Sequence, residues 1–183
     1  MDTSSFFFVA EASDDPVLRE IRLLHLKNGK NTNFRDLVYF PFETANSGME
    51  VELPLDYYME GIDAFVTRSS WEKGALYAGI IGGMNNASHG QVDSGSFVYH
   101  NGGTVWFCDI GTENYNCYGF WASETRYRYY KMSAEGNNTL FLANRKSVPY
   151  GQTKNGFGYM IETGDNEYGA YAILDNTSVY GTY

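Results

Sequence analysis

The segment Gly82-Gly83-Met84-Asn85-Asn86-Ala87-Ser88-His89-Gly90-Gln91-Val92 gathers the groups in this sequence best suited to chemistry. It is long, polar and rich in glycine, and it joins two strong strand patterns. Loops of this kind, held by a rigid sheet, are where binding and catalytic groups concentrate. The loop carries one of only three histidines. An imidazole can take or give a proton near neutral pH, so His89 is the candidate catalytic group. The alternative is a loop histidine that only satisfies backbone groups. His100 falls at a hairpin tip, where it reads as solvated, and His25 falls on a helix, where it reads as a surface or packing residue.

The elements after the loop fix what can stand beside His89. Asp93–His100 reads as a strand leaving the loop, Asn101-Gly102-Gly103 as a hairpin turn, and Thr104–Asp109 as the strand returning. Counting across a three-residue turn puts Asp109 about opposite Gly95, near Asp93 and at the His89 end of the sheet. Gly95 has no side chain, which leaves room for a close neighbour. Asp93 and Asp109 could equally be turn formers at strand ends.

Arg126-Tyr127-Arg128-Tyr129-Tyr130-Lys131 is a second feature. As a strand it places Arg126, Arg128 and Tyr130 on one face. Cations beside rings suit an acidic sugar, the cations pairing carboxylate or sulfate and the rings stacking on the sugar face. The alternative is an exposed strand whose tyrosines pack.

The elements that must position these groups are mostly strands. Sixteen Tyr and twelve Phe favour pleated surfaces, and twenty Gly against four Pro suit many tight turns. The predicted strands are Leu37–Phe42, Ile62–Ser70, Ala75–Ile81, Asp93–His100, Thr104–Asp109, Thr125–Lys131, Thr139–Ala143, Phe157–Glu162 and Gly169–Asp175. No alternation of strand and helix appears, so the expected fold is mainly β, an antiparallel sandwich or layered sheet. The start differs. Ser13-Asp14-Asp15-Pro16 is a helix start, Val17, Leu18, Ile21 and Leu24 recur at helical spacing, and Asn28-Gly29 is a fitting stop. Residues 1–35 therefore read as a short helical unit and residues 36–183 as the β unit.

A net charge of −9 disfavours nucleic acid as a partner. No apolar run approaches the roughly 18 residues of a membrane span, so no membrane partner is expected. Cys108 and Cys117 are too few for a disulfide scaffold and lack the spacing of a structural zinc site. The compartment stays open between periplasm or secretion and cytoplasm.

Several blocks together resemble the C-terminal region of heparinase II/III-like polysaccharide lyases over roughly residues 38–180. They are Arg68-Ser69-Ser70-Trp71, then Ala75-Leu76-Tyr77-Ala78 and Gly82-Gly83, then Ser88-His89-Gly90-Gln91-Val92-Asp93-Ser94-Gly95-Ser96-Phe97, then Asp109-Ile110-Gly111-Thr112-Glu113-Asn114-Tyr115. The resemblance implies an antiparallel β-sheet domain that follows a helical toroid, and cleavage of uronic-acid polysaccharide by β-elimination. It implies that His89 completes the cleft while the catalytic Tyr lies largely in the toroid. On this reading residues 1–35 are the last toroid helices, Tyr180 belongs to a strand followed by more sheet, and the chain is a fragment truncated at both ends. The partners implied are an acidic polysaccharide and the missing toroid of the same protein, with self-association where the toroid would dock. The fragment alone is expected to be inactive.

The sequence departs from the family where its metal-binding members hold a metal. Gln91 stands where many relatives have a second His, and Asn137, in Gly136-Asn137-Asn138-Thr139, stands for another. With Asp109 these make a degenerate site. Amides bind zinc poorly, so no zinc and no resident cofactor are expected, which leaves a weak site for a hard divalent cation at Asp109. Two other readings stand beside the lyase: a non-catalytic carbohydrate-binding or structural module, and a glycoside hydrolase fragment using Asp93 and Asp109 as its carboxylate pair.

Overall fold

In the computed structural model the described residues are 9, 12–13, 15–27, 53–142 and 150–181. The chain divides into two compact units, Met1–Leu53 and Pro54–Tyr183. The first contains helix α1, Pro16–Lys27. The Asp15 carboxylate accepts the Val17 N–H at 2.9 Å, satisfying one of the free donors at the helix start, and Pro16 needs no such partner. Arg22 and Leu23 of α1 are buried. The predicted stop at Asn28-Gly29 and the predicted strand Leu37–Phe42 lie outside the described residues.

Among its described residues the second unit has eight strands: β1 Asp56–Met59, β2 Ala64–Arg68, β3 Tyr77–Ile81, β4 Gly83–Met84, β5 Phe97–Asn101, β6 Thr104–Phe107, β7 Phe157–Asn166 and β8 Gly169–Asp175. They form two antiparallel sheets, ordered β1-β2-β3-β5-β6 and β4-β7-β8. The fold is mainly β, as expected. Side chains alternate across the larger sheet. Phe65, Ile80, Phe97, Tyr99 and Phe107 face Ala170–Ala172 of β8 across an apolar cavity of about 460 Å³. Ala64, Val66, Tyr77, Ile81 and Val98 face the other way. Among the described residues no helix is long and apolar enough to cross a membrane.

The chain passes from the larger sheet to the smaller at Gly82-Gly83. A Cβ on Gly82 would lie 2.7 Å from the Gly158 carbonyl oxygen, and Gly83 takes φ +76°. The site loop therefore starts where the two sheets touch. Gly158 is required on the opposite side: a Cβ there would fall on Ser94 Oγ and Asn176 Oδ1, which hydrogen-bond each other at 2.8 Å. Gly158→Ala is expected to cost about 2–3 kcal/mol through overpacking. Urea denaturation checks this, and a loss below about 0.5 kcal/mol, the usual range for a neutral surface change, would contradict it.

The structure corrects several local expectations. The hairpin turn has two residues, not three: Asn101 pairs with Thr104, and Gly102 and Gly103 take φ +59° and +78°. This is the mirror-image turn that matches strand twist. A register shift at Tyr99/His100 follows, and β6 ends at Phe107, so Asp109 does not pair opposite Gly95. Gly95 (φ +82°) makes room for Asn176 and Thr139 instead. β5 begins only at Phe97, because Asp93–Ser96 closes a turn through the Ser96 N–H and the Asp93 carbonyl. His100, read as solvated, is half-buried with its ring edge-on to Tyr77.

The predicted strand Thr125–Lys131 is absent. Helix α2, Ser123–Arg126, and a 3₁₀ turn at Tyr130–Met132 occupy it. Arg126, Arg128 and Tyr130 thus share no strand face: Arg126 is buried while Arg128 and Tyr130 are exposed. The described part of predicted strand Thr139–Ala143 is not a strand either, although Asn138 and Thr139 bond to Phe97 and Ser94. Tyr180 follows a 3₁₀ turn, Thr177–Val179, rather than lying in a strand.

Candidate functional site

The site loop rests on a core separate from the sheets. Val92, Phe120, Tyr127, Met132 and Ala134 pack together, with Val92 and Met132 fully buried. The Val92 N–H donates to the Met132 carbonyl at 3.0 Å. Four further bonds tie the loop down. Asn85 Nδ2 donates to Gln152 Oε1 (3.0 Å) and the Thr153 carbonyl (2.9 Å). The Tyr127 hydroxyl donates to Asn86 Oδ1 at 2.9 Å, and an Arg126 Nη donates to the Gly90 carbonyl at 2.8 Å. Arg126 is therefore an anchor of the loop.

His89 sits at the top of this anchored loop. A turn closed by the Gly90 N–H and the Ala87 carbonyl (2.8 Å) holds it at φ +61°, in the left-handed region that a side-chain-bearing residue seldom adopts. Its imidazole is exposed, and its Nδ1 lies 3.3 Å from the Tyr115 hydroxyl. Its ring centroid is 5.7 Å from that of Tyr115 and 5.8 Å from that of Trp121. Spacing alone did not reveal Tyr115 or Trp121 as neighbours. The Asp109–Tyr115 block drew notice only as part of a resemblance, and Trp121 carried no signal.

Asp93 and Asp109 are brought together, but beside the sheet. With Ala64, Val66, Tyr77, Ile81, Ser96 and Val98 they line a hollow of about 220 Å³. Burial, then the Asp109 charge, pushes the Asp93 carboxyl up to about 6 from its ordinary 3.8. Asp109 also accepts the Gly111 N–H. His89 is not among the residues lining that hollow. Burial likewise raises the Tyr127 phenol above its ordinary value, with Arg126 opposing.

The degenerate metal positions flank one backbone stretch. Asn137 Nδ2 donates to the Ser133 carbonyl (2.8 Å) and the Lys131 carbonyl (3.3 Å), while Gln91 precedes the residue that bonds Met132. Asn137 Oδ1 and Gln91 Oε1 are buried and accept no hydrogen bond. A set of two neutral amide oxygens and one carboxylate, with no imidazole or thiolate, does not fit zinc. Among the described residues no group of three or more His, Cys, Asp and Glu forms a metal cluster. Purified protein is expected to carry well under one zinc per chain by elemental analysis. Stoichiometric zinc released by Asn137→Ala would contradict this.

Compared with known proteins, the chain matches no protein-family model and no curated sequence.

Proposed function

We propose that this chain is the β-sheet part of a polysaccharide lyase that cleaves uronic-acid-containing polysaccharide by β-elimination, with His89 as its contribution to catalysis. The observation that carries the reading is the setting of His89. A left-handed backbone, of order 1 kcal/mol or more above ordinary conformations, is kept in a loop anchored at Asn85, Asn86, Gly90 and Val92. The strain leaves the imidazole in solvent, with its Nδ1 within hydrogen-bond reach of the Tyr115 hydroxyl.

The chemistry accounts for such a group. Elimination removes the proton α to the uronate carboxylate, the electron pair forms the C4–C5 double bond, and the C4–O4 bond breaks with its oxygen taking a proton. A neutral imidazole can accept the first proton, and an imidazolium can supply the last. The other parts, a second proton-transfer group and a direct carboxylate contact, are the share of the toroid that the resemblance implies.

The test uses the protein expressed from the complete reading frame, assayed for absorbance of the unsaturated uronate on heparin, heparan sulfate and alginate. Product is expected from the complete protein. His89→Ala should lower the rate at least about a hundredfold, the usual worth of a positioned proton-transfer group. The 183-residue chain alone should give none. Absence of product from the complete protein on all three substrates sinks the reading. The exposed rings beside His89 favour a second one, a carbohydrate-binding module without chemistry, which predicts binding with no product from either form.

A further inference from the structure

The rings around His89 form a corner with two walls. Those of His89, Tyr115 and Phe120 make a tilted row: His89 lies 34° from the plane of Tyr115, and Tyr115 lies 32° from Phe120 at 4.8 Å. Trp121 stands nearly upright to all three, at 89°, 70° and 82°, with centroids 5.8, 5.2 and 5.2 Å away. Phe120 is 1% exposed, whereas Tyr115 is 37% and Trp121 63% exposed. The inner ring is sealed, and the outer ones present an aromatic angle with an imidazole in it.

A cation lies under this corner. The Arg126 guanidinium is 4.9 Å from the Phe120 ring centroid and 5.8 Å from that of Tyr127. Arg126 is nine-tenths buried, and its Nε is enclosed without a hydrogen-bond partner. No carboxylate among the described residues forms an ion pair with it. An unneutralised buried charge is expensive, and its field is weakly screened because little water surrounds it. In a chain of net charge −9 it makes this spot locally attractive to an anion.

We propose that the corner is a subsite for one acidic pyranose ring. Trp121 stacks on the C–H face of the sugar, the His89 imidazole and the Tyr115 hydroxyl bond its polar edge, and buried Arg126 supplies preference for the carboxylated sugar without touching it. Aromatic faces take sugars because the axial C–H groups of the ring bury apolar area, and indole offers the most. The assignment moves the sugar-binding role from an Arg126/Arg128/Tyr130 face to Tyr115 and Trp121. It rests on the lyase reading for its choice of a uronate, but binding does not require elimination to occur.

The test measures affinity of the 183-residue chain by calorimetry for a uronate hexasaccharide prepared from alginate and for cellohexaose, a neutral probe of equal length. The uronate is expected to bind about tenfold or more tightly than the neutral probe. Trp121→Ala should weaken both about tenfold, since each ring loses its stacking wall. Arg126→Lys should keep most of the acidic preference and Arg126→Met should remove most of it. If Arg126→Met does not fold, Arg126→Gln, which keeps an N–H donor for the Gly90 carbonyl without the charge, replaces it and should lose the acidic preference in the same way. Equal wild-type affinity for the two probes, or unchanged affinity in Trp121→Ala, overturns the assignment. Selective binding with no product from the complete protein would leave the subsite standing and remove the lyase.

Discussion

Asn85→Ala is expected to lower the free energy of unfolding by about 4 kcal/mol, with a matching fall in the urea midpoint. Asn85 is 1% exposed and satisfies both ends of its amide. Its Oδ1 accepts the N–H groups of Asp93 (3.3 Å) and Ser94 (3.1 Å), and its Nδ2 donates to Gln152 and Thr153. Gln152, fully buried, passes the network on through Nε2 to the Ser94 carbonyl (2.7 Å), Thr139 Oγ1 (3.2 Å) and the Tyr180 hydroxyl (3.1 Å). Truncation leaves several buried donors and acceptors unpaired at once, each costing about 1–3 kcal/mol when water cannot reach it. The same change frees the start of the site loop, so the Trp121 and His89 resonances should broaden. A loss under 1 kcal/mol would show that the network is not what holds the loop.

The second large effect concerns pH. The folded protein holds the Asp93 proton more tightly than the unfolded chain does, at about 6 against an ordinary 3.8. Folding therefore gains from this group below about pH 4, and the gain is lost as pH rises through about 6. A difference of roughly two units corresponds to about 3 kcal/mol. Asp93→Asn, which mimics the protonated carboxyl, is expected to leave stability near pH 4 little changed and to raise it at pH 7 by up to about 3 kcal/mol. Urea unfolding at pH 4, 5, 6 and 7 checks the sign. Parallel profiles for the two proteins, or a variant less stable at pH 7, would contradict the buried, charge-repelled setting.

Much of the fold was legible because its signals are local. Asp15-Pro16 starts α1, Gly102-Gly103 turns the hairpin, and β8 runs over the expected Gly169–Asp175. The strand expected over Thr125–Lys131 fails because period two is not unique to strands. Arg126-Tyr127-Arg128-Tyr129-Tyr130 alternates like a strand, yet Thr125 Oγ1 bonds the Gly119 and Ala122 carbonyls and the chain coils through short turns. Tyr127 and Met132 are then claimed by the core under the loop. β1 was missed because its pairing with β2 depends on Asp63 at φ +48°, a turn that its sequence does not announce.

The site was legible only in part. His89 stood out by residue type and by the glycine and asparagine around it. Its partners did not, because the segment after Asp109 returns across the loop in irregular structure that no periodicity encodes. Arg126 stood out as a cation beside rings, and those rings prove to be Phe120 and Tyr127 rather than a sugar-facing tyrosine.

The most direct measurement is a titration of the isotopically labelled chain with a uronate hexasaccharide, followed by nuclear magnetic resonance at the Trp121 indole N–H and the His89 ring. If His89, Tyr115 and Trp121 form the site for an acidic sugar, the indole and imidazole signals shift together along one binding curve while those of Trp71, Trp106 and His100 stay in place. Shifts confined to Trp106 or Trp71, or no shift at Trp121 and His89 at saturating sugar, would contradict the account.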